Sequence, residues 1–511
     1  MADILTTIVE KRKADIEKLG LTFGFDIPAK RKRSVHPFLV KKGVILEIKR
    51  ASPSKGDIAP GLDSAATAIS YAKAGANAIS CLTETNYFKG TLEDLMRVCN
   101  VLDTICDKPP AVLRKDFLLS PDEVEVSYRA GADAILLIAR ILETSVIVEM
   151  AKKAASYKMT SLVEIRTEED LKKLAAVTKA VDKNFIVCGV NSRDLANFKI
   201  DLLTPCRLLK KIHEIAGKNA RVIFESGIRT PEAAGFAGSL GFNGMLLGEA
   251  AAKAPELRKA LVESFMNAES SKNADFWKEI AENLGRNNNR PLLKICGINQ
   301  IEDGLKAEQS AADFLGFIFY KKSPRNTREK LVRDLRTALY NKYPKAPKFV
   351  GVIVNPEDEE AKLAIRLTKE GILDVLQLHT ADCAIRFLSN IKNRMLPHYC
   401  AVNLKDEREL KQVDELFKLG EPRVLIDAQS TGENGIGGTG KRIDDALVKS
   451  LLAKHQLWLA GGISTENVKE ILDLYNPELI DVSSSLESKP GKKDLKKLEA
   501  FASALGISNQ E

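Results

Sequence analysis

Val44-Ile45-Leu46-Glu47-Ile48-Lys49-Arg50-Ala51-Ser52-Pro53-Ser54-Lys55-Gly56 is the stretch on which the fold turns. The apolar, β-branched run reads as an inner strand, and Pro53 with Gly56 stops it. Glu47 and Lys49 stand two apart, so the strand's period of two points both to one side, where packing alone would place aliphatic residues. A buried ion pair is one reading, costly unless fully satisfied. The other is an acid and a base at the mouth of a parallel barrel.

Working outward, residues 1 to about 42 carry a helical pattern over Ile4–Leu19 and then a basic, Pro-containing loop, an N-terminal cap in which Lys30-Arg31-Lys32-Arg33 reads as solvated. From Val44 onward short apolar runs alternate with charge-rich amphipathic stretches, as βα units do. The runs are Val44–Ile48, Ala78–Leu82, Ala111–Leu113, Ala134–Ile138, Ser161–Val163, Phe185–Val190, Arg221–Phe224 and Gly244–Leu247. After a helix around Pro255–Phe265 the composition turns polar, and residues 268–290 read as a linker containing a short helix. The alternation restarts with Leu292–Ile295, Phe314–Phe317, Phe349–Val354, Val375–Leu378, Tyr399–Val402, Arg423–Ile426, Leu457–Ala460 and Leu479–Val482. The fold class is therefore α/β, with two consecutive TIM (β/α)8 barrels spanning 1–267 and 291–511. Open doubly wound sheets are the alternative for either half.

A chain of 511 residues is too long for one core. With 44% hydrophobic and 29% charged residues it has an ordinary globular composition, and no run approaches a bilayer span. The net charge of +8 is spread along the chain, which favours small anionic substrates over nucleic acid. Eight cysteines without C-x-x-C spacing argue against zinc and against a disulfide framework, and they suit a reducing cytoplasm.

Barrel chemistry sits at the C-terminal ends of strands and in the loops that follow. In the first half those ends carry Leu113-Arg114-Lys115-Asp116-Phe117, Glu164, Asn191-Ser192-Arg193 and Glu225-Ser226-Gly227-Ile228. With Glu47 and Lys49 they form a ring of acids, ammonium groups and an amide that can shift one another's pKa and move protons. Ser226-Gly227 after strand seven and Leu247-Gly248-Glu249 after strand eight are where a barrel builds a phosphate site from backbone N–H groups, and Ser52 could add a hydroxyl.

Glu-Ile-Lys-Arg-Ala-Ser-Pro-Ser-Lys-Gly, Leu-Thr-Glu at 82–84, Leu-Arg-Lys-Asp-Phe, Val-Glu-Ile at 163–165, Asn-Ser-Arg-Asp-Leu at 191–195 and Glu-Ser-Gly-Ile resemble indole-3-glycerol-phosphate synthase over nearly all of residues 1–260. The resemblance implies decarboxylative ring closure of carboxyphenylamino-deoxyribulose phosphate, with no metal or organic cofactor. It implies Lys115 as general acid on the carbonyl under attack and Glu164 as a proton carrier in the later dehydration. Lys49 would hold the carboxylate, oriented by Glu47 and Asn191, and the division of the acid role between Lys49 and Lys115 stays open. Arg193 and Glu225 complete the ring, while Ser52, Ser226, Gly227 and Gly248 contact substrate phosphate. Glu249 stands where the family has Ser and is expected to turn away.

In the second half, Lys294-Ile295-Cys296-Gly297-Ile298 ends a strand with a thiol, and Ser323-Pro324-Arg325 supplies a guanidinium that could fork onto a carboxylate. Gln377-Leu378-His379 and Asp427 end two further strands. A thiol and a carboxyl group across a barrel mouth suit moving a proton between adjacent carbons, although a cysteine in an apolar strand is commonly packing. Gly435-Ile436-Gly437-Gly438-Thr439-Gly440-Lys441-Arg442 falls short of a nucleotide loop because Arg442 stands where Ser or Thr would reach magnesium, and a lid or phosphate loop fits better. Gly461-Gly462-Ile463 and Asp481-Val482-Ser483-Ser484 again match the barrel phosphate position.

Lys-Ile-Cys-Gly-Ile, Ser-Pro-Arg, Gln-Leu-His, the loop from Asp427 to Lys441, Ala-Gly-Gly-Ile and Asp-Val-Ser-Ser resemble phosphoribosylanthranilate isomerase across residues 291–490. The resemblance implies an Amadori rearrangement with Asp427 as acid on the ribose ring oxygen, Cys296 as base at C2 and Arg325 on the anthranilate carboxylate. His379, Gly461, Gly462, Asp481, Ser483 and Ser484 would line the substrate. Asp445 and Ser485 depart from the family's usual aromatic and Gly. The isomerase product is the synthase substrate, which points to a fused enzyme of tryptophan biosynthesis. The expected partners are small phosphosugar–anthranilate molecules, without nucleic acid or membrane, and the chain is expected to act as a cytoplasmic monomer. A single active barrel and a sugar-phosphate-binding scaffold are the competing readings.

Overall fold

In the computed structural model the described residues are 4–194, 198–286, 290–340, 346–428 and 445–506. The apolar runs of the first half become eight parallel strands, because each is flanked by a helix long enough to cross back over the sheet. They are β1 (Gly43–Ile48), β2 (Ala78–Leu82), β3 (Ala111–Lys115), β4 (Ala134–Ile138), β5 (Thr160–Ile165), β6 (Ile186–Asn191), β7 (Val222–Glu225) and β8 (Gly244–Leu247). The ladder closes on itself, with Ile45 opposite Ala78 and Val44 opposite Met245, so the first half is a barrel and not an open sheet.

The second half repeats the plan with β9 (Leu292–Cys296), β10 (Phe314–Phe319), β11 (Lys348–Ile353), β12 (Val375–His379), β13 (His398–Leu404), β14 (Val424–Ala428), β15 (Trp458–Ala460) and β16 (Leu479–Val482). Here Lys294 stands opposite Phe314 on one side and Asp481 on the other, closing a second barrel. Several strands run further than the apolar runs do: Lys115, Glu164, Asn191 and Glu225 are strand residues, not loop residues. Charges that point into a barrel mouth and find partners there need not interrupt the backbone ladder.

Helix α1 (Ile4–Leu19) sends Leu5 and Ile8 into the first barrel's apolar cluster. It is anchored by Arg12, whose guanidinium lies 2.6 Å from Asp116 and also pairs with Glu123, all three side chains being buried. The basic run is not simply solvated. Lys30 and Lys32 face water, but Arg31 and Arg33 alternate with them and turn inward onto the buried Asp133, Arg31 at 2.7 Å and Arg33 at 2.9 Å. An extended segment has a period of two, and one buried carboxylate suffices to sort the arginines from the lysines.

The division of the chain falls between Ser270 and Ser271. Within the stretch read as linker, Lys272–Arg286 forms a fifteen-residue helix, α2, that belongs to the second unit. Its Trp277 is fully buried with its ring 5.6 Å from that of Trp458, the first residue of β15. Asn273 accepts a hydrogen bond from the backbone N–H of His398, the first residue of β13. The helix therefore caps the N-terminal end of the second barrel. Among the described residues no helix is long and apolar enough to cross a membrane.

Truncating a buried tryptophan removes its transfer free energy and leaves a cavity, so Trp277→Ala should destabilise the second unit by ~3–5 kcal/mol. Urea unfolding followed by circular dichroism tests this. An unshifted transition would mean that α2 is not part of that unit's core.

Candidate active sites

Every residue given a catalytic or substrate-binding role in the first half borders one cavity, about 1160 Å³ including its solvent-open mouth, at the C-terminal end of the first barrel. At its centre stands the Lys115 ammonium from the last position of β3, 3.9 Å from Glu47, 3.8 Å from Glu164 and 3.8 Å from Glu225. Lys49 lies 3.6 Å from Glu47 and 5.2 Å from the centre of the Phe88 ring. Glu47 and Lys49 come from β1 and its end, Lys115 from β3, Glu164 from β5 and Glu225 from β7, and the parallel register sets Asn191 of β6 directly opposite Glu225.

Three carboxylates around one cation give unequal acids. Burial alone would lower Lys115, but Glu47, Glu225 and Glu164 together hold it above the usual lysine range. Lys49 goes the other way, pushed down by burial against the pull of Glu47 and with repulsion from Lys115 and Arg193. Burial and the neighbouring Glu164 push Glu225 well up, more than Lys115 draws it down. Such separated acidities are what proton transfer between fixed groups requires.

Two glycines make room for the ring. A Cβ on Gly189 would sit 2.0 Å from Glu225 Oε1, and one on Gly248 would sit 2.5 Å from Glu47 Oε1. At the phosphate-like corner the backbone turns through Ser226 at φ 69° and Gly227 at φ 83°. A Cβ on Gly227 would strike Ile200 at 2.7 Å. Glu249 does not leave the site as the sequence suggested. It borders the cavity and is held 3.2 Å from Lys253, and although burial opposes ionisation, Lys253, Arg229 and Lys55 keep it below the usual carboxylate range. Leu195, the last residue of the Asn-Ser-Arg-Asp-Leu motif, lies outside the described residues.

Two supports were not visible as site residues. Glu84 accepts hydrogen bonds from the backbone N–H groups of Asn86, Tyr87 and Phe88, which fixes the loop presenting Phe88 to Lys49. Arg114, fully buried, bonds Asp116 at 3.0 Å and Thr83 at 3.1 Å, and so ties the neighbour of Lys115 in place. A strand-end acid signals a possible site, but only the fold tells a proton carrier from a loop clamp.

The residues singled out for the second half likewise share one cavity, of about 790 Å³, into which both Cys296 and Asp427 open. Gly316 leaves space for the thiol, since a Cβ there would lie 2.6 Å from Cys296 Sγ. Burial pushes the Cys296 thiol up, with Lys294 opposing. The Cys296 carbonyl accepts from Lys493 Nζ at 2.6 Å and from Ser483 at 3.1 Å, which locks the strand end. Arg325 is already engaged: Nε and Nη2 each lie 2.8 Å from the two oxygens of Glu487, so Nη1 is the nitrogen outside that fork. Gly461 and Gly462 both have positive φ, at 86° and 64°. The glycine-rich run 435–442 lies outside the described residues.

Among known proteins, the family described as Indole-3-glycerol phosphate synthase matches residues 5–263, and that described as N-(5'phosphoribosyl)anthranilate (PRA) isomerase matches residues 293–504. A "Multifunctional tryptophan biosynthesis protein" of Schizosaccharomyces pombe is 29% identical over 91% of this chain, which spans 59% of that relative's length. A "Tryptophan biosynthesis protein TrpCF" of Yersinia pestis is 31% identical over 91% of this chain and 84% of its own. A tryptophan biosynthesis protein of Phytophthora nicotianae is 30% identical over 85% and 86%.

Removing the shared cation in Lys115→Met leaves Glu164 and Glu225 without their counter-charge, Glu47 keeping Lys49 at 3.6 Å, so the ring should take up about one proton at neutral pH. Difference infrared spectroscopy of the carboxylate band reads this. Unchanged ionisation would show that Lys115 is not their counter-charge. For Cys296 the sign is set by burial: with its pKa above 9.0, alkylation by iodoacetamide should be slow at neutral pH and still accelerating beyond pH 9.0. The measurement uses a Cys106→Ser background, because Cys106 is the half-exposed competitor. A rate that levels off by about pH 8 would contradict the assignment.

Proposed function

The chain belongs to the family of indole-3-glycerol phosphate synthases fused to phosphoribosylanthranilate isomerases, and from that premise we propose that it carries out two successive steps of tryptophan biosynthesis. The second barrel converts N-(5-phosphoribosyl)anthranilate to the open-chain aminoketone phosphate, and the first closes that ketone to indole-3-glycerol phosphate. The supporting observation is one ammonium set among three carboxylates in one cavity and an acid with a thiol in another.

In the isomerisation, Asp427 gives its proton to the ribose ring oxygen as the C1–O bond breaks, leaving an iminium at C1. Cys296 as thiolate then takes the C2 proton, the electron pair forms the enolamine, and tautomerisation gives the C2 ketone. The Arg325 guanidinium, held in its plane by Glu487, offers Nη1 to the anthranilate carboxylate. The phosphate rests on the backbone of Gly461, Gly462, Ser483 and Ser484, with Asp481 beneath.

In the ring closure, Lys115 protonates the ketone oxygen as the carboxyl-bearing aromatic carbon attacks, which makes a C–C bond without building negative charge. Carbon dioxide then leaves with its electron pair returned to the ring. Glu164 carries the proton needed to expel water. Lys49 engages the substrate carboxylate, and its lowered pKa makes it the readier proton donor of the two lysines. Glu47 and Asn191 orient it. Arg193, Glu225, Ser52, Ser226, Gly227 and Gly248 complete the pocket. On this reading residues 1–270 form the synthase and 271–511, with α2 as its plug, the isomerase, acting in the cytoplasm as a monomer.

Feeding phosphoribosylanthranilate to the wild type should yield indole glycerol phosphate, and Lys115→Ala should accumulate the ketone. A wild type that leaves the substrate untouched would remove the isomerase assignment, and the ketone supplied directly would show whether ring closure stands alone. Asp427→Asn should lower isomerisation by ~10²–10⁴-fold while ring closure from the ketone is unchanged. Loss of both steps in a folded variant would refute separate sites.

A further inference from the structure

Beneath the mouth of the second barrel lies a buried polar layer that the acid–base step does not use. Lys294, two residues before Cys296 on β9, is fully buried; its ammonium pairs with Asp481 and bonds Gln377 Oε1 at 2.5 Å. The Tyr399 hydroxyl donates to the same oxygen at 2.8 Å. An ammonium has no acceptor, so the Gln377 amide can turn only its oxygen toward Lys294. Its nitrogen therefore faces His379 Nδ1, 3.2 Å away, and donates to it. A ring nitrogen that accepts carries no hydrogen, so the His379 proton is on Nε2. That Nε2 is buried and has no hydrogen-bond partner among the described residues. Burial, reinforced by the Lys294 charge, pushes His379 down to about 4, which keeps the ring neutral.

His379 borders the same cavity as Cys296 and Asp427. A buried N–H without a partner is unfavourable, and an acceptor brought in through the cavity relieves it. On the isomerase reading, the substrate's phosphate is taken by the Gly461 and Ser483 corners and its carboxylate by Arg325. The acceptors left between them are the sugar oxygens, and a neutral donor suits a neutral oxygen. We propose that His379, held as the Nε2–H tautomer by Lys294 acting through Gln377, donates a hydrogen bond to a sugar oxygen of the phosphoribosyl substrate, with Gln377 as the positioning residue. No proton is transferred. The imidazole is an electrophilic donor in the sense of a neutral histidine that polarises an oxygen, and it remains bonded as the C2 hydroxyl becomes a carbonyl. The charged and titratable groups around it are Lys294, Asp481, Cys296 and Asp427.

This inference rests on the isomerase reading, and the test separates the two. Nitrogen NMR of histidine-labelled protein reads the tautomer without turnover, the His379 signal being assigned by its loss in His379→Leu. The expected result is an Nε2–H imidazole that does not titrate from pH 5.5 to 8. In Gln377→Glu the group facing Nδ1 becomes an acceptor, so the proton should move to Nδ1, with kcat/KM for isomerisation falling ~10–100-fold and ring closure from the ketone unaffected. His379→Gln, whose amide nitrogen can reach the Nε2 position, should recover much of the activity that His379→Leu loses. An Nδ1–H or titrating ring in the wild type, or His379→Leu and His379→Gln both turning over at the wild-type rate, would overturn the proposal. A wild type with the expected tautomer but no isomerase turnover would overturn the functional reading and, with it, the sugar-oxygen role.

Discussion

The arrangement at the first barrel's mouth depends on a charge imbalance: one ammonium, Lys115, serves three carboxylates at nearly equal distances. No single pair among them is close enough to satisfy itself by a direct hydrogen bond, and carboxylate oxygens of Glu47 and Glu225 are left without one. A group in that state is not spent on structure. The second barrel also has a buried lysine on an inner strand, but Lys294 is bonded closely to Asp481 and Gln377 and is wholly shielded from solvent, whereas the Lys115 side chain keeps 16% of its surface exposed. Depth separates the two roles. A lysine at the rim can meet a substrate, and one a layer lower can only orient the groups above it.

Volume is the second constraint. The interior of a barrel is filled by side chains, so charges enter it only where other side chains are missing. Gly189 and Gly248 give up that space to Glu225 and Glu47, and Gly316 gives it to the Cys296 thiol. The ring carboxylates Glu225 and Glu47 and the Cys296 thiol thus each pack against a position that has no side chain at all.

Much of this was legible in the sequence because its signal is periodic. The two sets of eight apolar runs, the abrupt endings in Glu47, Lys115, Glu164, Glu225 and Asp427, and the Gly-rich corners follow from strand geometry alone. What was not legible depends on contacts between segments far apart in the chain. Arg31 and Arg33 looked solvated because Asp133, about a hundred residues away, was not visible as their partner. Glu84 stood in a quoted motif without a role, and only its three backbone donors place it under a loop. Glu487, which forks Arg325, carries no local signal. Lys294 did carry one, since it stands two residues before Cys296 in an apolar strand just as Glu47 stands two before Lys49. The polarity of a linker also misled: α2 is charged on one face only, and its other face holds Trp277.

A helix that plugs the N-terminal end of a barrel also fixes where that half can begin as an autonomous folding unit. Excising the second barrel at its first strand, near residue 291, would leave the Trp458 indole facing water and remove the side chain that caps the backbone of His398. Such a fragment would carry a sticky apolar base and be prone to self-association. Cutting ahead of Ser271 keeps the plug with the barrel. What looks in the primary structure like dispensable tether is therefore inherited property of the downstream half, and any fission, permutation or domain graft of this chain has to move it with that half.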